Sequence, residues 1–140
     1  MVAGFYGTYE HTLDDKGRVI LPAKMRHGFD GKAFLTQYLD GCLALWDPEA
    51  FDEQMEAMRQ RASTGRSERN LARVWASKSH EVEVASNGRV AIPAHLREYA
   101  GLEGDVLITG FFDHVELWNP ARWEEKVQPE ELRLTEGLDG

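Results

Sequence analysis

The chain contains two copies of one short sequence pattern. LDDKGRVILPAKMR at residues 13–26 returns about 71 residues later as VASNGRVAIPAHLR at residues 84–97, with glycine, arginine, valine, proline, alanine and arginine in register. A second echo follows each copy, because Leu-Trp-Asp-Pro at residues 45–48 returns as Leu-Trp-Asn-Pro at residues 117–120. Duplication at this period predicts two copies of one small structural unit, which present the same surface at a fixed offset.

The length of the chain limits how these copies can fold. Its 140 residues suffice for one hydrophobic core, so we expect the two copies to complete each other rather than to stand apart. We predict an α+β, β-rich fold. Its predicted divisions are a first unit at residues 7–50, a helical linker at 51–80, a second unit at 81–124 and an acidic tail at 125–140.

Composition excludes several classes of protein. With 42% hydrophobic and 29% charged residues, the chain has no apolar run near the roughly 20 residues of a membrane helix. The first residues lack the pattern of a secretory signal, so we expect a cytoplasmic protein. Cys42 is the only cysteine, which excludes an intramolecular disulfide and a multi-cysteine zinc site and predicts a buried core residue.

The net charge of −8 argues at first against a nucleic-acid partner, because phosphate binding usually needs a basic surface. The acids, however, are concentrated from Glu98 onward, where only three basic residues accompany them. The earlier part of the chain keeps most of the lysines and arginines. A local basic face is therefore compatible with the overall charge.

Residue patterns predict the elements of the first copy. Residues 8–13 and 18–21 flank the turn residues 15–17, which predicts a β-hairpin with a charged tip. Pro22 begins a short helix, and we expect Gly28 to end it in the left-handed conformation. Strands at 33–39 and 42–46 flank Asp40-Gly41, a dipeptide suited to a two-residue turn. Asp47 then caps the next helix.

The second copy predicts the same order. A strand to residue 85, a turn at 86–88 and a strand at 89–92 precede a short helix closed by Gly101, strands at 106–109 and 115–118, and a helix capped by Asn119. Between the copies, apolar residues at helical spacing predict two helices with a break at 63–65. We interpret the arginines there as a solvated or salt-bridged face. Beyond Pro129 we expect the acidic tail to fray.

The first turn carries the chemistry that most suggests a function. Gly17 allows a tight turn and a close approach to a ligand, while Lys16 and Arg18 flank it as cations. Arginine suits bidentate contact with phosphate or with guanine, and a two-stranded ribbon fits the major groove of B-DNA. Asp14, four residues before Arg18, is placed to orient the guanidinium. For one such loop taken alone, a solvent-exposed turn with no binding role is the simpler interpretation. The second copy, however, keeps both the glycine and the arginine, as Gly88 and Arg89.

These residues resemble a known family. The motifs at residues 13–26 and 88–102 are similar to those of MraZ, and the resemblance runs from about Gly7 to Trp123. It implies two tandem SpoVT-AbrB type domains, in a duplicated swapped-hairpin barrel with short helices, assembled into a ring. It further implies a transcriptional regulator associated with the nucleoid, which binds short direct repeats in the promoter of the division and cell-wall gene cluster.

The family's acid-to-arginine signature maps onto Asp14 and Arg18. In the second copy Arg89 is kept, whereas Ala85 replaces the acid and Asn87 stands where the first copy has a lysine. We therefore expect the first loop to dominate binding. The predicted contacts to double-stranded DNA are Lys16, Arg18, Lys24, Arg26 and Arg89, with Asp14 as the orienting acid.

Two other functions remain as alternatives. The five histidines are scattered, His80 near Glu81 and Glu83 being the best catalytic candidate, and no nucleophile or phosphate-loop motif accompanies them. We therefore predict no enzyme, metal, cofactor or small-molecule substrate. The stronger alternative is a protein-binding adaptor or antitoxin-like module, because related folds serve that role and the chain is acidic.

Overall fold

The computed structural model of the chain describes residues 4–138. It has an α+β, strand-rich architecture with short helices, as the sequence predicts. The strands are β1 (Thr8–Thr12), β2 (Arg18–Ile20), β3 (Lys32–Gln37), β4 (Leu43–Trp46), β5 (His80–Glu83), β6 (Arg89–Ala91), β7 (Asp105–Phe111) and β8 (His114–Trp118). The α-helices are α1 (Ala23–Arg26), α2 (Pro48–Ala62), α3 (Arg66–Lys78), α4 (Ala94–Ala100), α5 (Pro120–Lys126) and α6 (Glu131–Glu136).

The strands divide into a sheet and a ribbon. Six strands form an antiparallel sheet in the order β1-β7-β8-β4-β3-β5, and β2 pairs only with β6 in a separate two-stranded ribbon. Val19 and Val90 of the ribbon are buried in the same core cluster as Val115 and Leu117 of the sheet. The second face of the sheet is covered by α2, α3 and α5.

Strand pairing corrects one prediction. The two strands beside each charged loop do not pair with each other: β1 pairs with β7 and β5 pairs with β3, while β2 and β6 pair across the two copies. The alternation of apolar residues determines which face a strand buries, but not which partner it takes. Here the duplicated strand of the other copy is the partner, so the loops lie at the ends of a shared ribbon instead of at the tips of two hairpins.

The linking helices and their caps confirm the sequence prediction. α2 and α3 are separated at residues 63–65. Asp47 caps α2 by accepting from the backbone N of Ala50 at 2.8 Å, and Asn119 caps α5 by accepting from that of Ala121 at 2.8 Å. Arg59 and Arg61 form ion pairs with glutamates, as expected for a salt-bridged face.

Glycines show one confirmed and one wrong prediction. Gly101 ends α4 in the left-handed conformation, with φ 65°. Gly28 does not adopt a positive φ, and α1 ends at His27 in right-handed geometry after about one turn. A Cβ at Gly28 would lie 2.4 Å from the Phe5 ring. Glycine is required there because an aromatic ring packs against the backbone.

Two further segments differ from expectation in detail. The turn between β3 and β4 contains three residues, Leu39–Gly41, although Asp40 and Gly41 do adopt the positive φ expected of them. The tail does not fray within the described residues, because Gln128–Glu130 form a 3-10 turn that leads into α6. Every residue of α6 is nevertheless exposed.

Candidate nucleic-acid interface

The first charged loop is organised around the carboxylate of Asp14. Its Oδ1 accepts hydrogen bonds from the backbone N of Lys16 and of Arg18, both at 2.9 Å, and its Oδ2 accepts from Nε of Arg18 at 2.7 Å. Gly17 adopts a φ of 76° that closes the turn. The same acid therefore fixes the backbone of the loop and the direction of the arginine side chain.

These contacts set the charge state of the loop. The pKa of Asp14 is lowered to about 2, chiefly by the hydrogen bond from the backbone N of Arg18 and also by those from the Arg18 side chain and the Lys16 backbone. The Arg18 side chain is 32% exposed, so it is not sealed in the core. Among residues 4–138 its two Nη groups have no hydrogen-bond acceptor, which leaves them free for bidentate contact.

The second loop has the same backbone but lacks the acid. Gly88 adopts a φ of 87°, and Asn87 Oδ1 accepts from the backbone N of Arg89 at 3.0 Å. Asn87 thus replaces part of the backbone support that an acid at Ala85 would give. The exposed Arg89 side chain makes no hydrogen bond or ion pair with the described part of the chain. It is less constrained than Arg18.

The ribbon brings the two arginines onto one surface. Arg18 lies opposite Ala91, and Arg89 lies opposite Ile20, with the inward-facing valines between them. Paired and alternate residues share a face, so both arginines project outward from the same side. Their diagonal positions place the two Cα atoms about 7–8 Å apart. The fold therefore joins one guanidinium from each copy into a single small site.

Lys16, Lys24 and Arg26 have different surroundings. Lys16 and Lys24 are exposed, on the first loop and on α1. Arg26 is half-buried: its Nε and Nη2 donate to the carbonyl oxygen of Leu21 at 3.3 and 2.9 Å, and its Nη1 donates to that of Ser86 at 3.5 Å. This arginine braces the second loop from the first copy.

A second bracing arginine was missed by the sequence analysis. Arg97 Nε donates to the carbonyl oxygen of Ile92 at 3.0 Å. A Cβ at Gly17 would lie 2.7 Å from Arg97, and one at Gly88 would lie 2.6 Å from Arg26. Each arginine thus covers the loop glycine of the other copy. The repeat itself held the signal, because Arg97 aligns with Arg26.

An open groove of about 640 Å³ runs beside the ribbon. Four basic residues contribute to its lining, Lys16, Arg18, Arg89 and Arg97, together with the carboxylates of Glu81 and Glu83 on β5. One of these carboxylates, Glu81, is 3.9 Å from Lys32. Basic residues outnumber carboxylates in the lining, so the groove is a local cationic surface on an acidic protein.

The other titratable candidates lie outside the charged loops. Among residues 4–138, no three His, Cys, Asp or Glu residues are grouped to hold a metal ion. His80 is exposed on β5. Cys42 is buried, as predicted, and burial raises the pKa of its thiol well above the usual range. No helix in this part of the chain is both long and apolar enough to traverse a bilayer.

One buried polar cluster was not anticipated. His114 is 1% exposed, and its Nδ1 and Nε2 each lie 2.8 Å from a carboxylate oxygen, of Asp113 and of Glu116 respectively. Glu116 also accepts from Nε1 of Trp118 at 2.9 Å. His114, Glu116 and Trp118 are alternate residues of β8 and so share one face of that strand. The sequence analysis predicted a strand at residues 115–118 but not this cluster. The cluster lies on the sheet face away from the ribbon.

Comparison with known proteins identifies the family. The family model described as "MraZ protein, putative antitoxin-like" matches residues 5–74 and 76–138. The chain belongs to the MraZ family. This confirms the resemblance found in the motifs of the two loops.

Curated relatives in the MraZ family align along most of the chain. A protein of Acetivibrio thermocellus is 43% identical over 120 residues, which cover 86% of this chain and 84% of the relative. One of Heliobacterium modesticaldum is 39% identical over 138 residues and covers 96% of both chains. Each is named "Transcriptional regulator MraZ". The family is thus named for regulation and not for an enzymatic activity.

Proposed function

We propose that this protein is a sequence-specific DNA-binding transcriptional regulator that acts through its two charged loops. The observation that carries the proposal is the pair of arginines on the outer face of the ribbon, one of them held by Asp14. A guanidinium held in place loses less conformational entropy when it binds. The names of the relatives support the regulatory role.

The residues divide into contacts with bases and contacts with the backbone. Arg18 and Arg89 read guanine edges, because the Nη groups of Arg18 and the guanidinium of Arg89, which have no acceptor among the described residues, match the paired acceptors of guanine in the major groove. Lys16 and Lys24 are exposed point charges and contact phosphates. Arg26 contributes mainly by holding the second loop, since its guanidinium already donates to two carbonyl oxygens.

A single ribbon discriminates too weakly to find one promoter. One bidentate arginine contributes about 1–3 kcal/mol of base discrimination, which is small against the number of competing genomic sites. We propose that several copies assemble into a ring and bind short direct repeats together. Linked contacts raise avidity by roughly 10²–10⁴. Cyclic symmetry also matches direct repeats, whereas a two-fold dimer favours palindromes.

The proposed target and location follow from the family resemblance. We propose that the repeats lie in the promoter of the division and cell-wall gene cluster, and that the protein is cytoplasmic and associated with the nucleoid. The chain would then consist of two SpoVT-AbrB type units at residues 7–50 and 81–124, joined by the linking helices and followed by the acidic tail. The cross-copy ribbon supports a swapped-hairpin arrangement of these units.

Binding to upstream DNA tests the proposal. Purified protein is titrated with DNA from upstream of its own gene and with a shuffled duplex of equal length and composition, over a series of salt concentrations. We expect tighter binding to the native sequence at every salt concentration, and a linear fall of log affinity with log salt. Equal affinity for native and shuffled DNA would contradict the proposal.

The antitoxin-like wording of the family description favours one alternative, a protein-binding module. Salt distinguishes it from DNA binding. A protein interface with an apolar core weakens only mildly as salt rises, whereas several phosphate contacts weaken steeply. A salt-insensitive protein partner, found together with no preference for upstream DNA, would support this alternative.

A further inference from the structure

A bulky residue occupies an unusual position at the tip of the β7–β8 hairpin. Phe112 adopts a φ of 57°, although its aromatic side chain is 74% exposed. Its backbone is fixed by two hydrogen bonds with Phe5, at 2.8 Å from Phe5 N and 3.0 Å to Phe5 O. A positive φ is unfavourable for a phenylalanine and easier for asparagine or glycine. The described fold does not compensate for the cost of this backbone conformation by burying the Phe112 ring.

The exposed ring is part of a larger aromatic projection. Phe111 packs edge-on against Phe112 at 5.1 Å between ring centroids and is itself 48% exposed. We call these two side chains the knob. Carboxylates lie beside it: Asp47, Glu49, Glu53 and Asp113 line a groove that also includes Phe112. The knob is thus an exposed apolar projection beside a group of carboxylates.

A complementary depression lies between α2 and α3. It has a volume of about 240 Å³, is almost wholly apolar, and is formed by Phe51, Met55, Met58, Ala72, Trp75 and Ala76. We call these six residues the socket. The two alanines leave space above the aromatic and methionine side chains. The depression is therefore suited to a single aromatic ring that belongs to another molecule.

Arginines lie in the lining of the socket and on the neighbouring stripe of α3. Arg59 contributes to its lining, and Arg69 and Arg73 occupy the same stripe of α3 as the two alanines, at spacings of three and four residues. Arg59 pairs with Glu56. Arg69 makes no ion pair or side-chain hydrogen bond among residues 4–138. The arginines in and beside the socket are opposite in charge to the carboxylates beside the knob, so the two surfaces are electrostatically complementary.

The two surfaces cannot meet within one chain. Glu49, beside the knob, and Met58, in the socket, are nine residues apart on α2, which places them on opposite sides of that helix at 100° per residue. A copy therefore presents the knob in one direction and the socket in another. Such an arrangement joins different surfaces of successive copies, which produces a head-to-tail series and a ring when the rotation closes.

We propose that the knob of one copy inserts into the socket of the next copy and that this contact holds the assembly together. The inference deepens the proposed function, since it rests on the assembly proposed there and assigns the surfaces that form it. Buried aromatic anchors surrounded by complementary charge are the usual centres of protein interfaces.

The mass of the full-length protein in solution tests the knob. Light scattering after size-exclusion chromatography is measured for the native protein, for Phe112→Asn and for the control Leu132→Asn. Asparagine tolerates the positive φ, so we expect Phe112→Asn to fold. The substitution should leave the thermal unfolding midpoint of the single chain unchanged. We expect it to have the mass of one chain, while the native protein and the control remain assembled. An assembled Phe112→Asn would overturn the proposal.

Mixing two variants tests whether the contact is head to tail. Ala72→Glu fills the socket and adds a like charge for the acidic surface, so we expect it also to have the mass of one chain. Phe112→Asn keeps its socket and Ala72→Glu keeps its knob. An equal mixture should therefore form a species of two chains and no larger one. A mixture that stays at the mass of one chain would overturn the proposal.

These outcomes separate the interface from DNA binding. Both variants leave the charged loops intact, so their affinity for a single DNA repeat should equal that of the native protein. If the native protein itself has the mass of one chain, both the proposed ring and this interface are contradicted. Loss of upstream binding in an assembled native protein would instead contradict only the DNA proposal.

Discussion

At the scale of single residues, Arg18 and Arg89 are equivalent in the repeat but not in their surroundings. Asp14 holds the guanidinium of Arg18 at 2.7 Å, whereas Ala85 provides no acid for Arg89. An arginine that is already oriented contributes more of its contact energy to binding. The asymmetry between the two loops is therefore a difference in preorganisation.

This difference predicts unequal effects of two matched substitutions. We expect Arg18→Ala to weaken binding to upstream DNA by about tenfold or more, as loss of a bidentate contact does, and Arg89→Ala to weaken it less. Fluorescence anisotropy with labelled duplex measures both. Arg66→Ala, which removes an exposed charge on α3, controls for the loss of net charge. Equal losses for the two loop variants would refute the asymmetry.

Asp14 gives a prediction about pH. Its pKa is lowered from 3.8 to about 2, so its contribution to loop order is fully present above pH 3.8 and is lost as pH falls through about 2. We expect the carboxyl carbon of Asp14 to titrate near pH 2 by NMR. Because the backbone N of Arg18 is the largest cause, Arg18→Ala should retain part of the lowering. A native midpoint near 3.8 would contradict this account.

At the scale of elements, the sequence predicted what local chemistry determines. Asp47 and Asn119 cap helices because each precedes a proline at the first helical position, and Gly101 ends a helix because glycine accepts a positive φ. The partner of β2 was not predictable in this way. Its three residues specify an inward face for Val19, and the choice of β6 depends on a strand 71 residues away.

Close packing was also invisible to sequence reasoning. Glycine is a common residue at a helix end, but the role of Gly28 depends on its contact with the Phe5 ring. Local sequence spacing does not reveal that contact. The positive φ of Phe112 is a similar case, because it is imposed by hydrogen bonds to Phe5 and not by the residue type. For the candidate site, the loops and their charges were predictable, but the shared outer face of the two arginines was not.

The contact at Gly28 predicts a measurable cost. Gly28→Ala forces a methyl group toward the Phe5 ring, and we expect it to lower the free energy of unfolding by about 1–3 kcal/mol. Gly104→Ala is the matched control, since a Cβ there meets nothing within 4 Å, and it should change stability by less than about 0.5 kcal/mol. Urea denaturation measures both. Equal stability of the two variants would show that the Phe5 side chain moves aside without a measurable cost.

The polar cluster on β8 predicts a larger effect. His114→Ala leaves the carboxylate of Glu116, which is 6% exposed, without its imidazole partner. A buried polar group left without its hydrogen-bond partner costs about 1–3 kcal/mol, and the lost imidazole adds the cost of a cavity. We expect the double variant with Glu116→Gln to recover part of this loss, because the amide oxygen can still accept from Trp118. A double variant no more stable than His114→Ala would show that cavity formation, and not the unpaired carboxyl group, sets the cost.

At the scale of the whole molecule, acidic and basic regions are separated along the chain. Residues 130–140 carry four acids and one arginine, while the cationic groove lies beside the ribbon. An acidic region near DNA opposes indiscriminate phosphate contact. The net charge of −8 is therefore compatible with selective binding at a small cationic site.

The tail should therefore limit non-specific binding. We expect deletion of residues 130–140 to raise affinity for shuffled DNA severalfold at low salt, with a smaller change for upstream DNA. Replacement of Glu130, Glu131 and Glu136 by glutamine is the control that keeps the length of the tail. Competition binding with unlabelled shuffled duplex measures the effect. Unchanged affinity for shuffled DNA would show that the tail lies too far from the groove to matter.

The cross-copy ribbon has a consequence for how the protein is made. The first loop is completed by contacts with Ile92 and Arg97, which the ribosome adds only after about two thirds of the chain. A nascent chain that has reached the linking helices therefore still lacks the contacts of its first loop with the second copy. Under the proposed function, Arg18 and Arg89 can share one surface only late in translation, once both copies have been made.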